Sequence, residues 1–208
     1  DDTVMFSWGA GNEGQLGHAK VAKTNGLMGS AFVQTEPRKL LRSKRFTKVA
    51  IGEHCSIALT PEGQAFGCGT GLISFEDKTD QAIREFTLLD FGLPKNKKIV
   101  DVSFGNKHAA AIDEDGKVYV WGDNGSWFRG GGQLGLGHKA SVQRPTLVSF
   151  LSEDLAAKVV SVKCGERHTL FLLDDGDLFA SGVGEYGRLG TGNTEDSLLP
   201  TQVSLELL

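Results

Sequence analysis

The sequence predicts an all-β fold built from repeated four-stranded units, and two observations carry the prediction. Glycine supplies 28 of 208 residues against only 5 prolines, about twice the usual ~7% of globular chains, which points to many tight turns rather than low complexity. The glycines also fall in register. Gly52 and Gly63, Gly105 and Gly116, and Gly165 and Gly176 form three pairs of identical spacing, and another glycine follows each pair at the same offset, at Gly69, Gly122 and Gly182. Gly9 is a fourth copy of that last position, so the unit recurs with a nearly constant period. Self-similarity at a fixed period marks a stacked repeat architecture.

The strands of each unit follow in order. Before each leading glycine, apolar or β-branched side chains alternate: Thr47, Val49 and Ile51; Val100, Val102 and Phe104; Val160, Val162 and Cys164. Period two predicts a half-buried strand. A second run follows the glycine, at 56–59, 109–112 and 169–173. It ends on an acidic-glycine turn, Glu62-Gly63, Asp115-Gly116 or Asp175-Gly176, a hairpin signal because such a turn needs a positive φ. A third run comes next, at 64–66, 118–121 and 178–180, with Val4 to Trp8 as its first copy. Stretches led by Pro37, Pro145 and Pro200 supply a fourth strand, at 37–41, 145–150 and 200–205. Four short strands per ~50 residues describe a propeller blade. The repeat units run roughly 1–45, 46–98, 99–157 and 158–208. One domain is therefore expected, a partial β-propeller of three to four blades, with the remaining blades supplied by another segment or chain. Its open ends would expose unpaired strand edges, which closure normally removes.

The loops after the third run share a pattern of their own: Trp8-Gly9 with Gly14-Gln15-Leu16-Gly17, Trp121-Gly122 with Gly132-Gln133-Leu134-Gly135, and Gly182 with Gly187-Arg188-Leu189-Gly190. Together with the Val-x-x-Gly-x-x-His pattern, these loops resemble the regulator of chromosome condensation repeat family over essentially the whole chain. The resemblance implies a β-propeller, usually of seven blades. The second unit departs from it. After Gly69-Thr70-Gly71 comes Leu72 and no Gly-Gln-Leu-Gly, so 70–98 is the least defined stretch.

Composition excludes several function classes. A formal net charge of −4 does not advertise for nucleic acid. No run of 18 apolar residues is present, so no membrane-spanning helix is expected. Three cysteines without a Cys-x-x-Cys pair make no disulfide framework and fit an intracellular, reducing compartment: cytoplasm, nucleus or an organelle. Gly9-x-Gly11-x-x-Gly14 and Gly182-x-Gly184-x-x-Gly187 match a dinucleotide fingerprint, but no helical periodicity follows to hold a pyrophosphate. They read as repeat turns, and no cofactor is expected. His108 and His168 share one slot, three residues after the leading glycine, and Cys55 fills it in the second unit. Equivalent slots of different blades do not converge, so the expected role is a hydrogen bond inside each blade. Cys68 and Cys164 also fall in packing slots. No pair of histidines has zincin spacing and no Ser sits in Gly-x-Ser-x-Gly, so neither a metal nor a catalytic residue is assigned.

Insertions carry more information, because loops bear function on a rigid scaffold. The loop from Gly122 to Gly135 is longer than its counterparts from Gly9 to Gly17 and from Gly182 to Gly190. The excess includes Trp127, Phe128 and Arg129 between glycines, a composition suited to an interface anchor or to folding back onto its own blade. A second insertion makes the stretch from Gly17 to Pro37 twice as long as those from Gly135 to Pro145 and from Gly190 to Pro200. Arg38, Lys39, Arg42, Lys44, Arg45 and Lys48 form a dense basic run. They read as a local anion contact or, more simply, as a solvated strand and connector. The expected function is a protein-interaction platform with protein partners. The alternative implied by the resemblance is guanine-nucleotide exchange on a small Ran-like GTPase. That activity uses a specialised surface with an inserted β-hairpin wedge, which is not matched residue by residue here.

Overall fold

The computed structural model of the chain describes residues 4–19, 23–26, 29–40, 44–73, 75, 82–93, 97–126, 130–155 and 158–204. The chain divides into two compact units, Asp1–Asp90 and Phe91–Leu208. Both are built of antiparallel sheets that follow the glycine register.

The first unit holds β1 (Phe6–Ala10), β2 (Lys23–Gly26) and β3 (Gly29–Lys39) in one sheet. Its second sheet holds β4 (Lys48–Ile51), β5 (Cys55–Leu59), β6 (Ala65–Gly69) and β7 (Ile83–Leu88), in sequential order. In the second unit, β8 (Ile99–Phe104), β9 (His108–Asp113) and β10 (Val118–Gly122) are followed by a two-stranded ribbon, β11 (Gly125–Ser126) with β12 (Gly130–Gly131). Then β13 (Val142–Leu147) returns to pair with β10, completing a four-stranded sheet. The last sheet contains β14 (Val159–Cys164), β15 (His168–Leu173), β16 (Leu178–Gly182) and β17 (Ser197–Gln202).

The repeat register is visible residue by residue. Cys55, His108 and His168 each open a second strand and lie opposite Gly69, Gly122 and Gly182 of the third. Ile51, Phe104 and Cys164 each close a first strand. In all three sheets the amide of the leading glycine donates to the carbonyl of the slot residue at 2.8 Å. The acidic-glycine turns also repeat. Gly63, Gly116 and Gly176 have φ of +79°, +82° and +97°, and each amide donates three residues back, to the carbonyls of Thr60, Asp113 and Leu173. This is a turn followed by a left-handed residue, a geometry that glycine adopts at least cost. In the third repeat the Asp113 carboxylate accepts the amides of Asp115 and Lys117, both at 3.0 Å, and so caps the turn.

The first strands depart from simple alternation. A bulge between Ile99 and Asp101, and its copy between Val159 and Ser161, turns Val100 and Val160 outward and buries Ile99 and Val159 instead. An extra residue in one strand reverses the faces beyond it. In β4, Val49 and Ile51 are exposed, because none of the described residues of the first unit covers that face. The fourth strands begin earlier than their prolines: Pro145 and Pro200 lie three residues inside β13 and β17. Both strands are sheet edges, where a missing N–H costs no ladder bond. The unassigned stretch at 70–98 contains β7, which forms the fourth strand of its sheet without a proline.

Each unit has its own core. In the second, Val120, Leu134, Val148, Val162 and Phe171 are fully buried in one cluster spanning both sheets. In the first, Phe46, Ala58 and Phe66 pack together with Met5 and Phe86 against them. Burying each large side chain of this kind contributes roughly 1.5–3 kcal/mol.

Candidate interaction surface

Strand direction sorts the loops of each blade into two ends. One end carries the Gly-x-x-His turn and the long loop after the third strand. The other carries the acidic-glycine turn and the connector to the next repeat. The insertion at 122–135 therefore sits at the first end of its blade. The basic stretch, which joins β3 to β4, sits at the opposite end of its own.

The insertion is a built structure at its base. The stem pairs Gly125 with Gly131 and Ser126 with Gly130. Buried Asn124 ties its root: its side-chain oxygen accepts the Leu134 amide at 3.0 Å, and its Nδ2 donates to the carbonyls of His138 and Ala140 at 2.6 and 3.2 Å. Asp123 accepts from the Gly125 amide and the Ser141 hydroxyl at 3.0 and 3.1 Å. The neighbouring blade holds the other flank. Asp196 accepts the Gly131 amide on one carboxylate oxygen and the Gly184 amide on the other, both at 3.2 Å. Trp127, Phe128 and Arg129, the three residues that join the two strands of the stem, lie outside the described residues.

The second insertion also forms a ribbon, in which β2 pairs with β3 from Lys23 opposite Phe32 to Gly26 opposite Gly29. In the basic stretch, Arg38 and Lys39 are exposed on β3, and the Lys44 ammonium lies 4.8 Å from the centre of the Phe66 ring. Hydrogen bonds from its own amide and the Thr60 hydroxyl lower the Glu62 carboxyl below its ordinary range, and Lys44 and Arg45 add to the effect. Part of the basic charge is thus answered locally. Arg42 lies outside the described residues.

His108 has a different role from the one its spacing suggests. His108 Nε2 lies 2.8 Å from Thr169 Oγ1, a residue of the next blade, and that hydroxyl lies 2.7 Å from the Gln133 carbonyl. The hydroxyl gives its one proton to the carbonyl, so it accepts from His108 Nε2–H. The bond therefore joins two blades rather than closing within one. The first unit contains the same junction without a histidine: Ser56 Oγ donates to the Gln15 carbonyl at 2.9 Å, and the Cys68 thiol donates to it at 3.3 Å. Gln15 and Gln133 hold the same place in the Gly-Gln-Leu-Gly loop, so that loop is an inter-blade connector. Burial pushes the thiols of Cys55 and Cys68 up to about 12, away from nucleophilic reactivity. Among the described residues no group of three or more His, Cys, Asp or Glu is placed to hold a metal ion, and no helix is long and apolar enough to cross a membrane.

Two features escaped the sequence reading. Asp196 carries no motif, and its role emerges only when two loops meet on it. Tyr186 is exposed at a φ of +62°, with the Arg188 guanidinium 5.8 Å from its ring centre. Its place in the Gly184-to-Gly187 turn was the available signal, since that turn recurs at Gly11 to Gly14 with the same hydrogen bond.

Comparison with known proteins matches this architecture. The chain is 30% identical over 210 residues to the human E3 ubiquitin-protein ligase HERC2, covering 99% of this chain and 4% of that protein. The crystal structure of human WBSCR16 superimposes with a TM-score of 0.79 at 25% identity, over 99% of this chain and 49% of that one. Yeast RCC1 (Prp20), solved bound to Kap60, gives a TM-score of 0.73 at 23% identity, over 97% and 44%. The chain thus spans half or less of each of these proteins, and its sheets are blades of a β-propeller of that type. The regulator of chromosome condensation (RCC1) repeat matches residues 4–59, 115–172 and 175–207, with a second profile of the same repeat over 99–126 and 159–188. On this evidence the chain belongs to the RCC1 repeat family.

Proposed function

We propose that the chain is a protein-interaction platform whose contact element is the insertion of the third repeat. The observation that supports this reading is the division of labour among the loops. The Gly-Gln-Leu-Gly segments are occupied in joining blades, whereas the Gly125–Gly131 stem is extra to the repeat and is held from both flanks by Asn124 and Asp196. A short, pre-organised stem lowers the entropy lost on binding. The three residues it carries, Trp127, Phe128 and Arg129, include two of the types most enriched in interface hot spots. The partner is a protein, and an intracellular compartment fits the three unpaired cysteines. The test is quantitative capture with the wild-type chain and a Trp127→Ala/Phe128→Ala variant. Binding partners should weaken by at least about tenfold while thermal unfolding is unchanged. Retention of all partners by the variant would remove the insertion from the interface.

One observation favours a second reading, nucleotide exchange on a small GTPase: the first-repeat insertion folds as a β-ribbon, Lys23–Gly26 against Gly29–Phe32. Release of labelled GDP from a panel of small GTPases distinguishes the two. The platform reading expects no acceleration.

A further inference from the structure

The third repeat shows how this fold answers the bases that lead into a blade. Lys97 and Lys98 precede β8, and each meets a carboxylate of the acidic-glycine turn of its own blade. Lys97 pairs with Asp115, and Lys98 lies 4.0 Å from Glu114. On β8 itself, Asp101 meets Lys163 at 3.5 Å.

The chain entering the second repeat keeps these positions and changes their charge. By glycine register Lys44 and Arg45 stand where Lys97 and Lys98 do, and buried Phe46 stands where buried Ile99 does. Glu62 holds the place of Asp115. The place of Glu114 is taken by Pro61 and that of Asp101 by Lys48, so one acid is lost and another becomes a base. Arg38 and Lys39 add to the excess from the end of β3, and from Pro37 to Lys48 the sequence has no acid.

The backbone that carries these bases is pinned. Leu40 and Phe46 are buried, the Leu40 amide donates to the Met5 carbonyl at 3.0 Å, and the Thr47 amide donates to the Leu59 carbonyl at 2.8 Å. Arg38, Lys39, Lys44, Arg45 and Lys48 are exposed around these anchors. Neighbouring groups register the excess. Burial and then Arg38 lower the His18 imidazole, and Lys44 and Arg45 reinforce the hydrogen bonds that lower Glu62. The form of the ridge limits what it takes. Arg38 and Lys39 are successive on a strand and point to opposite faces, so the bases do not converge as they would on a single phosphate. Phe46, the aromatic residue of the stretch, is buried and offers no ring for a nucleic-acid base to stack on.

We propose that Arg38, Lys39, Lys44, Arg45 and Lys48 form a second docking surface, which takes an acidic segment of a partner protein. Spaced carboxylates on that segment supply what the second repeat lacks at Pro61 and Lys48. The ridge belongs to the first unit and the insertion at 122–135 to the second, so the two readings stand or fall separately.

The test titrates the intact chain with a fluorescent peptide of alternating Glu and Ser. The peptide should bind, weaken as salt is raised and shift the amides of residues 38, 39 and 44–48 in NMR spectra. Lys39→Gln/Lys44→Gln/Arg45→Gln should weaken it by at least about fivefold. The charge-preserving Lys39→Arg/Lys44→Arg/Arg45→Lys should retain it. Lys97→Gln/Lys98→Gln removes bases that are already answered and should cost less than about twofold. The amide shifts need no variant, so misfolding cannot mimic or hide them. The proposal is overturned by absence of saturable binding, by shifts confined to other residues, by equal loss in the two Gln variants, or by equal binding of a Gln-Ser peptide. An oligothymidylate of equal charge that binds more tightly at the same amides would also overturn it, since nucleic acid would then be the occupant.

Discussion

The Nε2 of His108 and the Oγ1 of Thr169, distant in sequence, lie 2.8 Å apart and join the third and fourth blades through a relay that ends on the Gln133 carbonyl. Thr169 is fully buried, so no water substitutes for it. Thr169→Val keeps the shape and removes the hydroxyl, leaving a buried donor on His108 and a buried acceptor on Gln133. Each such group costs about 1–3 kcal/mol. Urea unfolding should show a loss in that range or above, and Thr169→Ser should recover most of it.

Gly165 explains why the turn before the slot residue needs glycine there. Its φ is ordinary, but a Cβ would overlap the His168 imidazole, with the ring Nδ1 only 2.6 Å away. Gly165→Ala should destabilise by about 1–3 kcal/mol, the usual cost of overpacking. The three atoms nearest to that Cβ all belong to the His168 ring. The cost should therefore largely vanish in a His168→Ala background, which a double-mutant cycle reads directly. Additive effects would mean that the ring is not the cause.

These two sites also mark how far the sequence was legible. Glycine spacing located the strands because φ-positive turns at Gly63, Gly116 and Gly176, and close approaches at Gly105 and Gly165, leave little choice of residue, and it placed Cys55, His108 and His168 in one slot. It did not reveal the partner of that slot. Thr169 and Gln133 come from different repeats, and their pairing depends on how blades stack, which periodicity does not encode. The bulges at Asp101 and Ser161 were hidden for a related reason. Val100 and Val160 continue the alternation in sequence, while the extra residue that turns them outward shows only in the pairing. At the candidate surface, excess loop length was readable. The hold of Asp196 on Gly131 was not, because the two belong to different repeats.

Asp196 should act on the stem rather than on the fold. Its carboxylate accepts the amides of Gly131 and Gly184. Asp196→Ala should speed amide exchange at both glycines by about tenfold or more, with a stability loss of about 1–2 kcal/mol. If the stem positions the contact residues, partner capture should weaken in the same variant. Unchanged exchange at Gly131 would show that Asn124 alone suffices to hold the ribbon.

Cys55 and Cys68 should be inert in the native protein. Burial raises both thiols to about 12, and the Cys68 thiol donates to the Gln15 carbonyl. Iodoacetamide at pH 8 needs thiolate and access, and neither is present. Mass spectrometry should find both residues unmodified until denaturant unfolds the first unit. Rapid native alkylation of either would contradict the buried blade junction.

The same histidine that ties two blades makes their junction sensitive to acid. Burial, helped by the neighbouring His168, pushes the His108 imidazole down to about 4, whereas in the unfolded chain it titrates near ~6.5. Above that value both states are neutral and nothing is lost. Between ~6.5 and 4 the unfolded chain takes up a proton that the folded chain refuses, so stability falls as pH falls, by up to about 1.4 kcal/mol per unit. Below 4 both states are protonated and this contribution levels off. Across the window it amounts to roughly 3 kcal/mol. His168, lowered by burial and by Arg188, adds in the same direction. Glu62 and Asp115, whose carboxyls are lowered, release their stabilisation only below their ordinary ranges, ~4.5 and ~3.8, and so lie outside most of it. His108→Gln should therefore flatten the stability profile between pH 6.5 and 4, whatever its effect at pH 7. An unchanged slope in urea titrations across that window would show that the junction histidine is not what refuses the proton.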